Sequence, residues 1–161
     1  KSMIEKMISF IGGGNMATAI ISGLLSSGLS DCDHICATAA HESSVIRLKE
    51  TLNIEATTDN KAAAQKADIL FLAVKPNLFH KVIPEIRHAI KEDAFIVSIA
   101  AGQPIERIEE MFERSIKLVR VMPNTPALVG ASMSASAATM LSQTRTWLRS
   151  SPSSTALANP R

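Results

Sequence analysis

Along this chain short apolar runs alternate with stretches whose apolar residues recur every three or four positions. Runs at 8–11, 35–38, 54–56, 68–74, 94–99 and 117–122 predict strands, because they are short, rich in Ile, Val and Phe, and bounded by turn residues. The helical spacing falls between them, at 17–25, 43–51, 60–66, 79–90 and 104–112. Strand and helix in strict succession predict a parallel sheet with helices on both faces. The run Asp68-Ile69-Leu70-Phe71-Leu72-Ala73-Val74 is almost wholly apolar, so it belongs inside the sheet, covered above and below, and Pro76 stops it. The fold class is therefore α/β, a Rossmann-type doubly wound, mainly parallel sheet.

Chemistry enters at the first of these junctions. Ile8-Ser9-Phe10-Ile11 runs into Gly12-Gly13-Gly14 and a helix then opens at Asn15, giving the pattern G-x-G-x-x-A. Gly12 permits the tight turn, Gly14 lets the backbone approach a pyrophosphate, and Ala17 keeps the helix close to its strand. The first-turn N–H groups of a helix lack intrahelical partners and carry partial positive charge, so they hold an anion without a lysine. Ser26-Ser27-Gly28 closes this helix before the second strand, which is the context the pattern requires. The bland alternative is a glycine-rich turn that binds nothing.

Composition narrows the class further. The length of 161 residues and 46% hydrophobic content suit one domain with a core. No apolar run approaches a membrane span, and Lys1-Ser2-Met3 lacks the layout of a signal peptide, so a soluble cytoplasmic protein is expected, with no membrane partner. Cys32 and Cys36 lie in or beside the second strand with no histidine cluster at metal spacing; they read as reduced packing residues, and no metal site is expected. His34, His41, His80 and His88 are scattered over different elements as surface or boundary residues. All 15 acidic residues lie at or before Glu113, whereas six basic residues and no acid follow from Arg114 on. Those bases are too sparse to make a nucleic-acid arm, and no nucleic-acid partner is expected.

Four segments in order now carry a resemblance: Phe10-Ile11-Gly12-Gly13-Gly14-Asn15-Met16, Leu72-Ala73-Val74-Lys75-Pro76, Ser98-Ile99-Ala100-Ala101-Gly102 and Arg120-Val121-Met122-Pro123-Asn124-Thr125-Pro126. Over about residues 5–135 the chain resembles the N-terminal, cofactor-binding half of pyrroline-5-carboxylate reductase. The resemblance implies reduction of the imine 1-pyrroline-5-carboxylate to proline, the last step of proline biosynthesis, by hydride from NADPH or NADH. It implies cofactor contacts at Ile11, Gly12, Gly13, Gly14, Asn15 and Met16, at Asn60, at Ala73, Val74, Lys75 and Pro76, and at Ile99, Ala100 and Ala101. Independently of it, the ligand crevice of an open α/β sheet lies beyond the carboxyl ends of the strands, where each of these except Asn60 falls. Asn60 reads equally as a helix N-cap. Lys75 invites the role of proton donor, yet before a proline its backbone alone can be what matters, so no catalytic residue is assigned. The turn at 122–126 would close over the nicotinamide side, or its prolines are rigid loop chemistry.

The end of the second strand bears on the choice of cofactor, since an acid there binds the ribose 2′-hydroxyl of NAD and repels a 2′-phosphate. Thr38-Ala39-Ala40-His41 has no acid, which favours NADP, with Thr38 and Ala39 as contacts. Ala39 departs from the family pattern, and Glu42 follows closely.

The family's helical C-terminal domain, which completes the substrate pocket and builds its homo-oligomer, has no counterpart in this sequence. Holding a cofactor and positioning an imine beside it are separate tasks, so this chain alone is expected to have little reductase activity. Residues 1–135 read as the dinucleotide-binding domain and 136–161 as a divergent tail, disordered or making adventitious contacts. If the DNA for residues 139–147 is read one base earlier, the bases fixed by the code permit Asn-Asp-Ala-Val-Ala-Asp-Glu-Asp-Leu, a family-like continuation. A frameshift and a genuine divergence are the two explanations of the tail. Three functional readings follow: a proline-pathway reductase represented by its cofactor domain, another nicotinamide oxidoreductase of related fold such as a hydroxy-acid dehydrogenase, and a non-enzymatic NADP-binding module.

Overall fold

A computed structural model describes residues 6–99, 104–114 and 116–120. The strands are β1 (Ile8–Ile11), β2 (Ile35–Thr38), β3 (Glu55–Thr57), β4 (Ile69–Leu72), β5 (Phe95–Ser98) and β6 (Lys117–Arg120). Between them lie α1 (Asn15–Ser27), α2 (Glu42–Leu52), α3 (Asn60–Lys66), α4 (Phe79–Ile86) and α5 (Ile105–Phe112). The strands form one sheet in the order β3-β2-β1-β4-β5-β6, and every pairing is parallel. This is the doubly wound Rossmann order, with its switch point between β1 and β4.

The alternation of side chains along each strand divides the interior into two layers. Ile8, Phe10, Ile35, Ala37, Ile69, Phe71, Phe95 and Val97 face α1 and α2, which bury Ala17, Ile20, Ile21 and Leu24, and Val45, Leu48 and Leu52, against them. Phe10 and Phe71, paired in register on β1 and β4, stack with ring centroids 4.5 Å apart and planes 11° from parallel. On the other side Ile11, Cys36, Leu70, Leu72, Ile96 and Leu118 meet α3, α4 and α5. Here α3 comes close to β1 because both surfaces are small: Ser9 is fully buried and its hydroxyl donates to the Ala63 carbonyl at 2.8 Å.

Element boundaries differ from the sequence pattern where backbone chemistry overrides it. The strand expected over 68–74 is hydrogen-bonded as strand only at Ile69–Leu72. It peels away at Lys75, which holds the extended φ −61°, ψ 145° favoured before a proline, and Pro76–Leu78 then form a single 3-10 turn. The helix expected over 79–90 ends as α-helix at Ile86. Pro84 inside it lacks an N–H and so removes only the bond to the His80 carbonyl; Arg87 N–H still bonds the Ile83 carbonyl, and the remainder continues as turns in which Ala89 and Ile90 N–H bond the Ile86 carbonyl. Conversely α1 runs through Ser26 and Ser27, placed in the turn by the sequence pattern, and ends at Gly28, whose left-handed φ of 78° favours glycine. Cys32, part-exposed, and Cys36, buried, are both free thiols. The tail 136–161 and the turn 122–126 lie outside the described residues.

Candidate functional site

At the carboxyl edge of the sheet β1 turns into α1 through three glycines, and each is glycine for a different reason. Gly12 adopts φ 108°, and a Cβ there would lie 2.9 Å from the Ala73 carbonyl carbon and 3.0 Å from Val74 Cγ1. The turn after β1 and the turn after β4 are thus pressed together, backbone to backbone. A Cβ on Gly13 would lie 2.7 Å from Leu48 Cδ1 and 3.0 Å from the Thr38 carbonyl oxygen, so α2 and the end of β2 close that side. Gly14 is unlike both. Its φ of −77° suits any residue, and a Cβ there would meet nothing within 4 Å. No neighbour within the described protein requires glycine at 14, whereas a group docking against the bare main chain would.

The electrostatics point the same way. Gly14 is the N-cap of α1 and supplies no side-chain cap, and the first turn holds no acid. Its carbonyl accepts from Thr18 N–H at 2.9 Å, so the helical ladder starts there and leaves the N–H groups of Asn15, Met16 and Ala17 without intrahelical partners. By contrast α3 is closed by Asp59, whose carboxylate accepts from Lys61 and Ala62 N–H at 3.0 and 3.2 Å. An exposed helix end with free donors, its positive dipole unopposed, and an adjoining glycine with an open Cα fit a dinucleotide pyrophosphate.

The other expected site residues distribute as follows. Ile11 is fully buried and its carbonyl accepts from Ala73 N–H at 2.9 Å, tying the two turns. Asn15 is exposed and Met16 half-buried against the layer under α1. Ala73 and Val74 flank Gly12; Lys75 is exposed, and its carbonyl accepts from Leu78 N–H at 2.9 Å. Ala39 is half-buried, and Ile99, at the end of β5, is 8% exposed. Ala100 and Ala101 lie outside the described residues.

Two readings are corrected. The N-cap of α3 is Asp59 rather than Asn60, because its carboxylate, one residue earlier, reaches the free N–H groups of the first turn. Asn60 is the first helical residue, and its Nδ2 donates to Glu85 Oε1 of α4 at 3.1 Å. Thr38 does not present its hydroxyl at the sheet edge: it is 2% exposed, and Oγ1 accepts from Gly12 N–H at 2.9 Å. The roles of Gly13 and Glu85 carried no signal in the sequence, whereas Asp59 before an Asn-Lys-Ala run is an ordinary cap signal.

Elsewhere, burial and the Glu55 charge push the Cys36 thiol up to about 11, against a smaller opposite effect of Lys66. Burial pushes the Asp68 carboxyl up, but the Lys91 ammonium at 2.8 Å, the Met7 N–H at 2.9 Å and the Lys6 charge together leave it below its ordinary value. Both groups belong to packing. Among the described residues no three His, Cys, Asp or Glu side chains converge as metal ligands, and no helix is long and apolar enough to cross a membrane.

Sheet order, glycine turn and open helix end define a Rossmann-fold domain of the doubly wound α/β class. The chain belongs to the family described as NADP oxidoreductase coenzyme F420-dependent, whose model matches residues 7–102. Within that class it is similar to pyrroline-5-carboxylate reductases. It is 41% identical over 130 residues to the enzyme of Escherichia coli, an alignment covering 81% of this chain and 48% of that protein. The structure of a pyrroline-5-carboxylate reductase from Coxiella burnetii superposes with a TM-score of 0.73 at 36% identity, over 78% of this chain and 47% of that one. A Plasmodium falciparum pyrroline carboxylate reductase with NADP bound gives 0.68 at 27% identity, over 80% and 46%. The chain thus spans about half the length of the relatives it matches.

Proposed function

We propose that this chain is the dinucleotide-binding portion of a pyrroline-5-carboxylate reductase and that its cofactor is NADP. The observation that carries the reading is Gly14, whose Cα opens onto free space over an uncapped, acid-free helix terminus. When bound, a reduced nicotinamide supplies the hydride that converts the C=N bond of 1-pyrroline-5-carboxylate to the amine of proline. The chain's own part is to bind and orient. The N–H groups of Asn15 to Ala17 hold the pyrophosphate, and the turn at Ala73 to Lys75, locked against Gly12, forms the wall of the crevice at the β1/β4 switch point.

Preference for NADPH is supported by the lack of an acid at the end of β2, where the small residues Ala39 and Ala40 follow Thr38; the charge of Glu42, in the first turn of α2, works against it. No residue is assigned as proton donor. Turnover depends on holding the imine beside the nicotinamide, and in this reading that task falls to parts of the protein beyond the dinucleotide site, including the oligomer interface of the full-length relatives; the chain by itself then shows little reductase activity. A cytoplasmic setting fits a pathway fed by soluble small molecules.

Calorimetric titration of the chain with NADPH and with NADH tests the reading, with Gly14→Val as control. The expected result is saturable binding, tighter for NADPH, that the substitution weakens. Equal heats from the variant would overturn the placement of the cofactor, and ordinary pyrroline-5-carboxylate turnover by the purified chain would overturn the division of labour.

A further inference from the structure

In a parallel sheet successive residues turn their peptide groups to alternate neighbours. Ile11 faces β4, where its carbonyl accepts from Ala73 N–H, so Gly12, the residue after β1, turns its N–H toward β2. The ladder would continue to a main-chain carbonyl of β2. Instead β1 is already curling into the turn, and the hydroxyl of Thr38 takes that N–H at 2.9 Å. The same residue's carbonyl oxygen stands 3.0 Å from where a Cβ on Gly13 would be. Thr38 therefore holds Gly12 by its side chain, while its backbone carbonyl leaves no room for a side chain at Gly13. Its branched side chain is stiff about χ1 and 2% exposed, so the grip is fixed.

We infer that Thr38 is a positioning residue for the dinucleotide turn, acting through Gly12 on the direction of the Asn15 to Ala17 N–H groups, and that it is not a reader of the ribose 2′ substituent. The inference rests on the proposed cofactor site and adds to it a prediction about selectivity. A residue that sets the pyrophosphate cradle affects NADPH and NADH alike, because the diphosphate is common to both. A residue that touches the 2′ position affects the two unequally, because one carries a 2′-phosphate and the other a 2′-hydroxyl.

Thr38→Val keeps the shape and removes the acceptor, leaving the Gly12 N–H unpaired; Thr38→Ser keeps the acceptor. Calorimetry on the full chain is expected to show roughly tenfold weaker binding of both dinucleotides for Thr38→Val, with Thr38→Ser restoring most of it. A loss confined to NADPH would overturn the inference, as would unchanged affinities beside a lowered melting temperature, which would mark the bond as purely structural. Unmutated chain that binds neither dinucleotide removes the cofactor reading and the inference with it. Amide exchange on the unmutated chain stands apart from variant folding and from binding: the Gly12 N–H is expected to exchange far more slowly than that of Asn15, and equally fast exchange would refute the grip.

Discussion

Substituting Gly12 and Gly14 separately divides what the fold needs from what a ligand needs. Gly12→Ala places a Cβ 2.9 Å from the Ala73 carbonyl carbon at φ 108°, a conformation L-residues seldom hold. Because the obstacle is backbone, relief requires the turns after β1 and β4 to separate, at a cost of about 2–4 kcal/mol. For a chain of this size that is roughly 5–15 °C in melting temperature. Gly14→Ala meets nothing within 4 Å and sits at φ −77°. Its loss as a poorer N-cap, up to ~1 kcal/mol, is offset by the ~0.4–1 kcal/mol gained from a less flexible unfolded chain. Net stability should change by less than about 0.5 kcal/mol. Calorimetric or optical melting checks both values, and titration with NADPH then separates the sites. Gly14→Val should melt close to the parent yet bind at least ~10-fold more weakly, since its methyls fill the space over the free N–H groups. A Gly14→Ala variant that melts as low as Gly12→Ala would refute the reasoning, because Gly14 would then be glycine for reasons of folding.

Other outcomes follow from the packing. Asp68 joins Met7 N–H of the β1 lead-in to Lys91, so Asp68→Ala should cost about 1–2 kcal/mol near neutral pH. Its folded carboxyl lies below the ordinary value of 3.8, so that stabilisation is present above about pH 4 and is lost as the pH falls through the lowered value. Urea unfolding of parent and variant should therefore converge in acid, and a gap that widened below pH 4 would contradict the sign. Cys36, buried and pushed up to about 11, should resist iodoacetamide at roughly pH 8 while part-exposed Cys32 is modified, as peptide mass spectrometry would show. Asp59→Ala removes the acceptor of two N–H groups of α3 and should cost about 1 kcal/mol, seen as faster amide exchange at Lys61 and Ala62. Unchanged exchange there would show that the first turn is held by packing alone.

Much of this protein was legible in its sequence, for reasons that are local. Buried strands such as 69–72 are apolar on both faces, α3 starts at Asn60 behind a carboxylate, and a glycine run between strand and helix has few other uses. Periodicity and backbone chemistry operate over a few residues, so one stretch of sequence contains the whole signal. What the tertiary structure decided was everything set by residues distant along the chain. The three glycines look equivalent in sequence; Ala73, Leu48 and Thr38, brought beside them by strand order, crowd Gly12 and Gly13 and leave open space at Gly14. Thr38 looked like a residue at an open edge and proved to be an internal strut, because β1 curls away from β2 at the point where its hydroxyl can follow. Close approach between segments decides such roles, and no property of either segment by itself encodes the distance between them.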